Sequence, residues 1–244
     1  MRLCKGSCAT AYVTKEALQR RYPSPPDAFC TSFSDVELGD EAFALIPRNG
    51  IPAGRPIRLV MVGSLAQLYK APDVLIDAVA ICIGQGLDLQ LVLVGDGKYR
   101  PYLEAKAARL GLGERVRLAG ELASGKGVRE ELDKADLFLL PSRTEGLPRA
   151  MIEAMARALP CIGSNVGGIP ELLSEDDLVP PGHGVTLAEK IMEVVRDPRR
   201  LATMSRRNLT HSRQYHETLM RKSRIQFYEY VRAKTEEWLI SHRA

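Results

Sequence analysis

The chain has 244 residues, 45% of them hydrophobic, and a net charge of +4. That length buries one good core, or one core plus a small appendage, and the charge is too small to demand a nucleic-acid partner. No apolar run approaches the roughly 20 residues of a membrane span, MRLCKGSCATAYV lacks the apolar segment of a secretory signal, and five scattered cysteines (Cys4, Cys8, Cys30, Cys82, Cys161) make no disulfide or metal framework. A cytoplasmic protein is expected.

In chain order, TAYVT and KEALQRRYPS predict one strand and one helix, with Thr14 as a candidate N-cap. PSPPDAFCTSFSDVELGDEAF and PRNGIPAGRP are dense in Pro, Gly, Ser and Asp and read as linker. A strand-helix pair is not a domain, so residues 1–54 are expected to be the remnant of an N-terminal domain with an interdomain linker.

From residue 55 the pattern changes. IRLVMVG (57–63), LQLVLVG (89–95), RVRLAG (115–120), ADLFLLPS (135–142) and LPCIGS (159–164) are near-continuously apolar, as strands covered on both faces should be. A short sixth strand falls near 177–180. Helices are predicted between them at 72–84, 99–111, 127–134 and 147–158, then at 185–196 and 199–212. Alternation of this kind predicts an α/β fold over 55–212, a Rossmann-like parallel sheet flanked by helices. The acidic pair Asp176 and Asp177 reads as surface loop. Between Arg196 and Arg224 basic residues accumulate; the plain reading is a solvated face, the sharper one peripheral contact with anionic lipid. A last helix near 215–240, within 213–244, spaces Tyr228, Val231 and Trp238 to share a face that would pack on the N-terminal domain.

In an open parallel sheet, ligands bind where strands end and helices begin. After the first strand, GSLAQLYKAPD supplies Gly63, Ser64 and Lys70, a glycine turn for phosphate approach and a countercharge. After the second, GDGKYR is a tight turn common to many such units. After the fourth, SRTEGLPRAMIE places Glu145 in the loop, Gly146 and Leu147 at the helix start and Glu153 about two turns on. Helix N-termini offer unpaired N–H groups, and ionised carboxylates accept from vicinal sugar hydroxyls. After the fifth, SNVGGIPEL offers a further glycine-rich backbone approach and Glu171. None of His183, His211, His216 and His242 falls at a strand end, and each reads as a surface residue.

EGLPRAMIE, an E-x7-E pair, together with VGSLAQLYKAPDVLIDAV, LVLVGDGKYRPYLEAKAARLGLGERVRLAG and SNVGGIPELL, resembles the donor-binding half of GT-B glycosyltransferases. The similarity runs from about 55 to 200 and is to the large retaining family called group 1 or family four. It implies that Lys70 neutralises a donor diphosphate and that Gly63 gives the backbone access to it. Glu153 would bind the ribose and Glu145 the donor hexose, with the Gly146 and Leu147 amides between sugar and phosphate. Gly120 to Leu122 would face the base. Lys70 and Glu145 are the implied catalytic pair. Where relatives often carry an arginine, this chain has Ser64.

The resemblance implies transfer of a hexose from a UDP- or GDP-sugar to a glycan or lipid-linked acceptor in polysaccharide biosynthesis, with retained configuration. No Asp-x-Asp motif lies at a strand end, so no metal or other cofactor is expected. The alternative is a non-catalytic nucleotide-sugar-binding module completed by a partner chain that supplies the N-terminal domain. A dinucleotide enzyme is disfavoured, because no GxGxxG follows the first strand.

Overall fold

The computed structural model describes Cys4 and residues 6–123 and 125–242. Met1 to Leu3, Lys5, Ser124, Arg243 and Ala244 lie outside the described residues, so the readings of 1–54 and 213–244 are followed over the remainder.

The chain opens with β1 (Ala9–Tyr12), α1 (Ala17–Arg21) and β2 (Phe29–Ser32). β2 pairs parallel with β1, Ala9 opposite Phe29 and Tyr12 opposite Ser32. The sequence predicted the first strand and helix but left FCTS in a linker. The rest of that linker is also less solvated than its composition suggests. Val36, Leu38, Ala42 and Phe43 are buried in the main core. Ala44 donates its N–H to the Ala156 carbonyl at 2.7 Å, and the Arg48 guanidinium spans the carbonyls of Leu132, Ala135 and Arg157. Residues 33–54 are therefore a strap packed along the larger sheet's helices.

That sheet contains β3 (Ile57–Val62), β4 (Leu89–Val94), β5 (Val116–Gly120), β6 (Leu137–Leu140), β7 (Cys161–Ser164) and β8 (Leu178–Val179). All pairings are parallel, in the order β5-β4-β3-β6-β7-β8. The helices are α2 (Pro72–Gly84), α3 (Arg100–Arg109), α4 (Lys126–Lys134), α5 (Arg149–Ala156), α6 (Gly184–Val195), α7 (Pro198–Ser212) and α8 (Glu217–Ser241). α2 packs on α3 and α6, while α5 packs on α4 and α7, which covers both faces of the sheet. All four residues of β6 are buried, as a central strand covered on both sides requires. The Rossmann-like parallel sheet is thus as the apolar runs predicted.

Two surface readings are corrected. Asp177 is 1% exposed and accepts from Arg200 at 3.2 Å and from Arg207, so part of the basic run neutralises a buried carboxylate. On α8 the packed face is one residue out of phase with Tyr228 and Trp238, which are 62% and 57% exposed. Tyr230 stacks on Phe29 at 4.8 Å and Phe227 meets Phe33 at 6.2 Å, so the helix covers the small β1–β2 sheet through its other aromatics. No helix among the described residues is long and apolar enough to cross a membrane.

Candidate functional site

The strand order reverses at β3, whose neighbours β4 and β6 lead the chain to opposite edges of the sheet. Loops leaving the carboxyl ends of β3 and β6 diverge there and leave a crevice. A cleft of about 590 Å³ occupies it. Gly63, Ser64 and Lys70 line it from β3, Leu122 from β5, Glu145, Gly146 and Leu147 from β6, and Glu153 from α5. Gly120 does not line it. With φ of 76° Gly120 turns the chain after β5, and its carbonyl accepts the Gly95 N–H at 2.8 Å.

Lys70 closes the 3-10 turn Leu68–Lys70, and Ala71, left-handed at φ 55°, redirects the chain into Pro72 and α2. The lysine stem lies on Gly63: a Cβ there would stand 2.3 Å from Lys70 Cδ and 2.8 Å from Cε. Lys70 Nζ donates to Glu145 Oε1 at 2.9 Å, with the two side chains only 12% and 8% exposed. The buried Ser142 hydroxyl donates to the same oxygen at 2.8 Å. Arg143 staples the two loops, donating through its N–H to the Tyr69 carbonyl and through its guanidinium to Leu68 O and both oxygens of Asp73. Burial would raise the Asp73 carboxyl, but Arg143 outweighs it and holds that carboxyl below its ordinary value. The two residues assigned to separate parts of a ligand are thus paired with each other.

α5 begins at Arg149 behind Pro148, later than predicted, so Glu153 sits little more than one turn in rather than two. Desolvation pushes its carboxyl above the ordinary value, against the pull of Arg149 and Arg129. The Gly146 and Leu147 amides donate to no group among the described residues. They belong to the loop ahead of α5 and lie among the residues that line the cleft.

The cleft also holds residues the sequence did not single out, among them Val13, Asp35 and Arg149. Arg149 stands at i, i+4 from Glu153, a spacing that could have flagged it. Val13 and Asp35 come from the N-terminal segment, which a rule about strand ends does not reach. Asp35, Glu121, Glu145 and Glu153 face only Lys70 and Arg149 among the described lining residues. An anion would therefore meet favourable charge only beside Lys70, Arg149 and the unpaired amides.

Two of the glycine turns are packed against the protein's own backbone. A Cβ at Gly97 would be 2.2 Å from Ala66 N, and one at Gly167 would be 2.0 Å from Glu145 O. Gly168 donates its N–H to Gly146 O at 2.6 Å. SNVGGIPEL therefore braces the loop carrying Glu145, and its Glu171 points away to the N-terminal segment. His211 and His216 are half-buried, not surface residues: His211 Nδ1 lies 3.1 Å from Leu172 O, and His216 stacks on Phe43. Among the described residues no three His, Cys, Asp or Glu side chains converge as a metal cage would require.

Comparison with known proteins agrees with this geometry. The chain is 27% identical over 187 residues to Protein CapJ of Staphylococcus aureus, covering 77% of this chain and 46% of that protein. It is 34% identical over 149 residues to the amylovoran biosynthesis glycosyltransferase AmsK of Erwinia amylovora, covering 57% of this chain and 36% of that one. The chain thus spans less than half the length of these curated relatives. Its fold matches Anabaena Alr3699/HepE, solved in complex with UDP, with a TM-score of 0.76 at 18% identity, over 93% of this chain and 64% of that chain. Residues 56–197, from β3 to the end of α6, match the family model described as glycosyl transferases group 1. With that span, the Rossmann-like sheet and the E-x7-E pair at its switch point, the chain belongs to the group 1 glycosyl transferases.

Proposed function

We propose that this chain binds a UDP- or GDP-hexose in the cleft at the switch point and serves its transfer to a glycan or lipid-linked acceptor in polysaccharide biosynthesis. The observation that carries the proposal is the convergence of Lys70, Glu145, the free Gly146 and Leu147 amides and Glu153 on one cleft. Breaking the bond from the anomeric carbon to the diphosphate leaves negative charge on the phosphate, and donors already aimed there lower that barrier. Lys70 and the Gly146 and Leu147 amides supply them, Glu145 accepts from hexose hydroxyls and Glu153 from the ribose. No metal or other cofactor is invoked. Retention of configuration, and the place of the reaction at the cytoplasmic face of a membrane, belong to the same proposal.

A nucleotide titration followed by thermal unfolding tests it. Ligand at about 100 times its dissociation constant adds roughly 2.7 kcal/mol, a shift of about 2–4 °C per kcal/mol for a chain of this size. Lys70→Ala alone is a poor control, since it strands the Glu145 carboxylate at 8% exposure. Gly63→Ala complements it by displacing the lysine without removing its charge, since the new methyl meets the far end of that side chain. This variant is expected to displace Lys70, to melt below the wild type because Glu145 loses its partner, and to lose the UDP- or GDP-dependent shift, read against its own ligand-free melting curve. A shift retained in Gly63→Ala would remove Lys70 from the site, and no shift in the wild type would sink the donor assignment.

Donor binding without transfer, unless another chain supplies the acceptor wall, is the reading to be told apart from it. Hexose transfer by the purified chain, assayed with and without such a partner, separates the two.

A further inference from the structure

We propose that Glu171 is a positioning residue of the donor cleft, acting by fastening the segment Val13–Ala17 beside the loop of Glu145 and Gly146. This role presupposes the donor cleft proposed above. Glu171 ends the 3-10 turn Ile169–Glu171, immediately after the paired glycines. Its Oε2 accepts the Lys15 N–H at 2.6 Å, and its Oε1 accepts those of Glu16 at 3.1 Å and Ala17 at 2.8 Å. These are the amides at the entrance to α1, a helix of five residues with no buried residue. A helix that short does not hold itself in water. Its N–H groups are satisfied from more than 150 residues away in sequence, by Glu171, and locally by Thr14 Oγ1, which accepts from Leu18. Thr14 thus shares the capping that the sequence assigned to it alone.

The contacts run on into the cleft. Thr14 is fully buried, and its methyl lies where a Cβ on Gly168 would come within 2.8 Å. Val13, the next residue back, lines the cleft and reaches within 3.5 Å of the Cβ position of Gly146. The glycine turn that presents Glu171 to the N-terminal segment is the same turn that braces Glu145 and Gly146 from below. One short element therefore sets the distance between Val13 and the donor loop. Val13 borders the Gly146 side of the cleft, the end assigned to the hexose, so the hexose end is where loss of the fastening is felt.

The test uses the full chain, with UDP, GDP, UDP-glucose and GDP-mannose as probes in titration calorimetry. Glu171→Ala is expected to weaken binding of the nucleotide sugar by roughly tenfold, equivalent to about 1.4 kcal/mol, while the free nucleotide changes little. Glu171→Gln, which keeps one acceptor oxygen, should recover part of the loss and keeps the test open if the alanine variant folds poorly. Amide exchange at Lys15 to Ala17 should quicken in proportion. Asp177→Asn, which loosens a different part of the fold, serves as the stability control and should reduce neither ratio. Equal losses for sugar and nucleotide, or the same selective loss in Asp177→Asn, would reduce Glu171 to a structural cap and overturn the proposal. Wild-type chain that binds no probe would instead remove the donor cleft itself, and this role with it.

Discussion

Glu153→Gln is expected to raise the melting temperature of the free chain at neutral pH while removing its binding of a nucleotide. Burial pushes the Glu153 carboxyl above its ordinary value of 4.5, and Arg149 and Arg129 only partly oppose it. An acid whose folded pKa is raised holds its proton more tightly in the native state. Stability therefore falls as pH rises from the unfolded value through the folded one, and the penalty is complete above both. Gln removes the penalty at neutral pH and gains nothing well below 4.5. Each kcal/mol recovered moves the transition up by about 2–4 °C. The same substitution replaces a carboxylate able to accept two ribose hydroxyls with an amide that accepts through one oxygen. Melting curves at acid and neutral pH, with and without UDP or GDP, read both effects. A variant no more stable than wild type at pH 7 would mean the carboxylate is not strained there.

Gly167→Ala is expected to cost about 2–4 kcal/mol, combining roughly 1 kcal/mol for a left-handed non-glycine with about 1–3 kcal/mol for overpacking. Gly167 has φ of 55°, and a Cβ on it would stand 2.0 Å from Glu145 O and 2.7 Å from Glu145 C. Both atoms are backbone and have no rotamer to escape into, so relief comes only by moving the loop that carries Glu145. The melting temperature should fall by roughly 4–16 °C, and the nucleotide-sugar shift should vanish. Gly182→Ala is the matched control: φ is 78° but nothing stands within 4 Å of its Cβ position, so it bears the conformational cost alone. Equal losses at the two positions would show that the contact with Glu145 is not rigid.

The larger sheet was legible because its strands are buried on both faces, and LFLL or LQLVLV cannot be written in a loop without exposing them. β2 was hidden for the opposite reason. FCTS has no fully buried residue and gains its cover from Tyr230, about 200 residues later. The strap from 33 to 54 was misread because Pro, Gly, Ser and Asp signal turns, whereas its burial depends on where helices end. Helix phase explains α8: a step of one residue rotates a side chain about 100°, enough to exchange Tyr228 for Phe227 as the packed ring. In the cleft, residue types at strand ends pointed to Gly63, Ser64, Lys70, Leu122, Glu145, Gly146, Leu147 and Glu153 but not to Val13, Asp35 or Arg149. Gly120, which they also offered, has its backbone turned into the pairing with Gly95. What strand ends do not reveal is which polar groups meet each other first. The Lys70–Glu145 pair, the Asp177 neutralised by Arg200 and Arg207, and the remote reach of Glu171 all depend on loops that meet only in three dimensions.

The Lys70–Glu145 pair also bears on what a donor site here would discriminate against. Its two charges cancel at 2.9 Å, so the pair shows little local field to a small anion drifting past. Inorganic phosphate that drew Lys70 away would leave Glu145, at 8% exposure, with the Ser142 hydroxyl as its main partner, and the gain on one side would be lost on the other. Only a molecule that brings an anion for the lysine and hydroxyls for the carboxylate at the same time leaves neither group stranded. In a donor site of the kind proposed, the pair would work as a coincidence detector, favouring a nucleotide sugar over free phosphate without a wall between them.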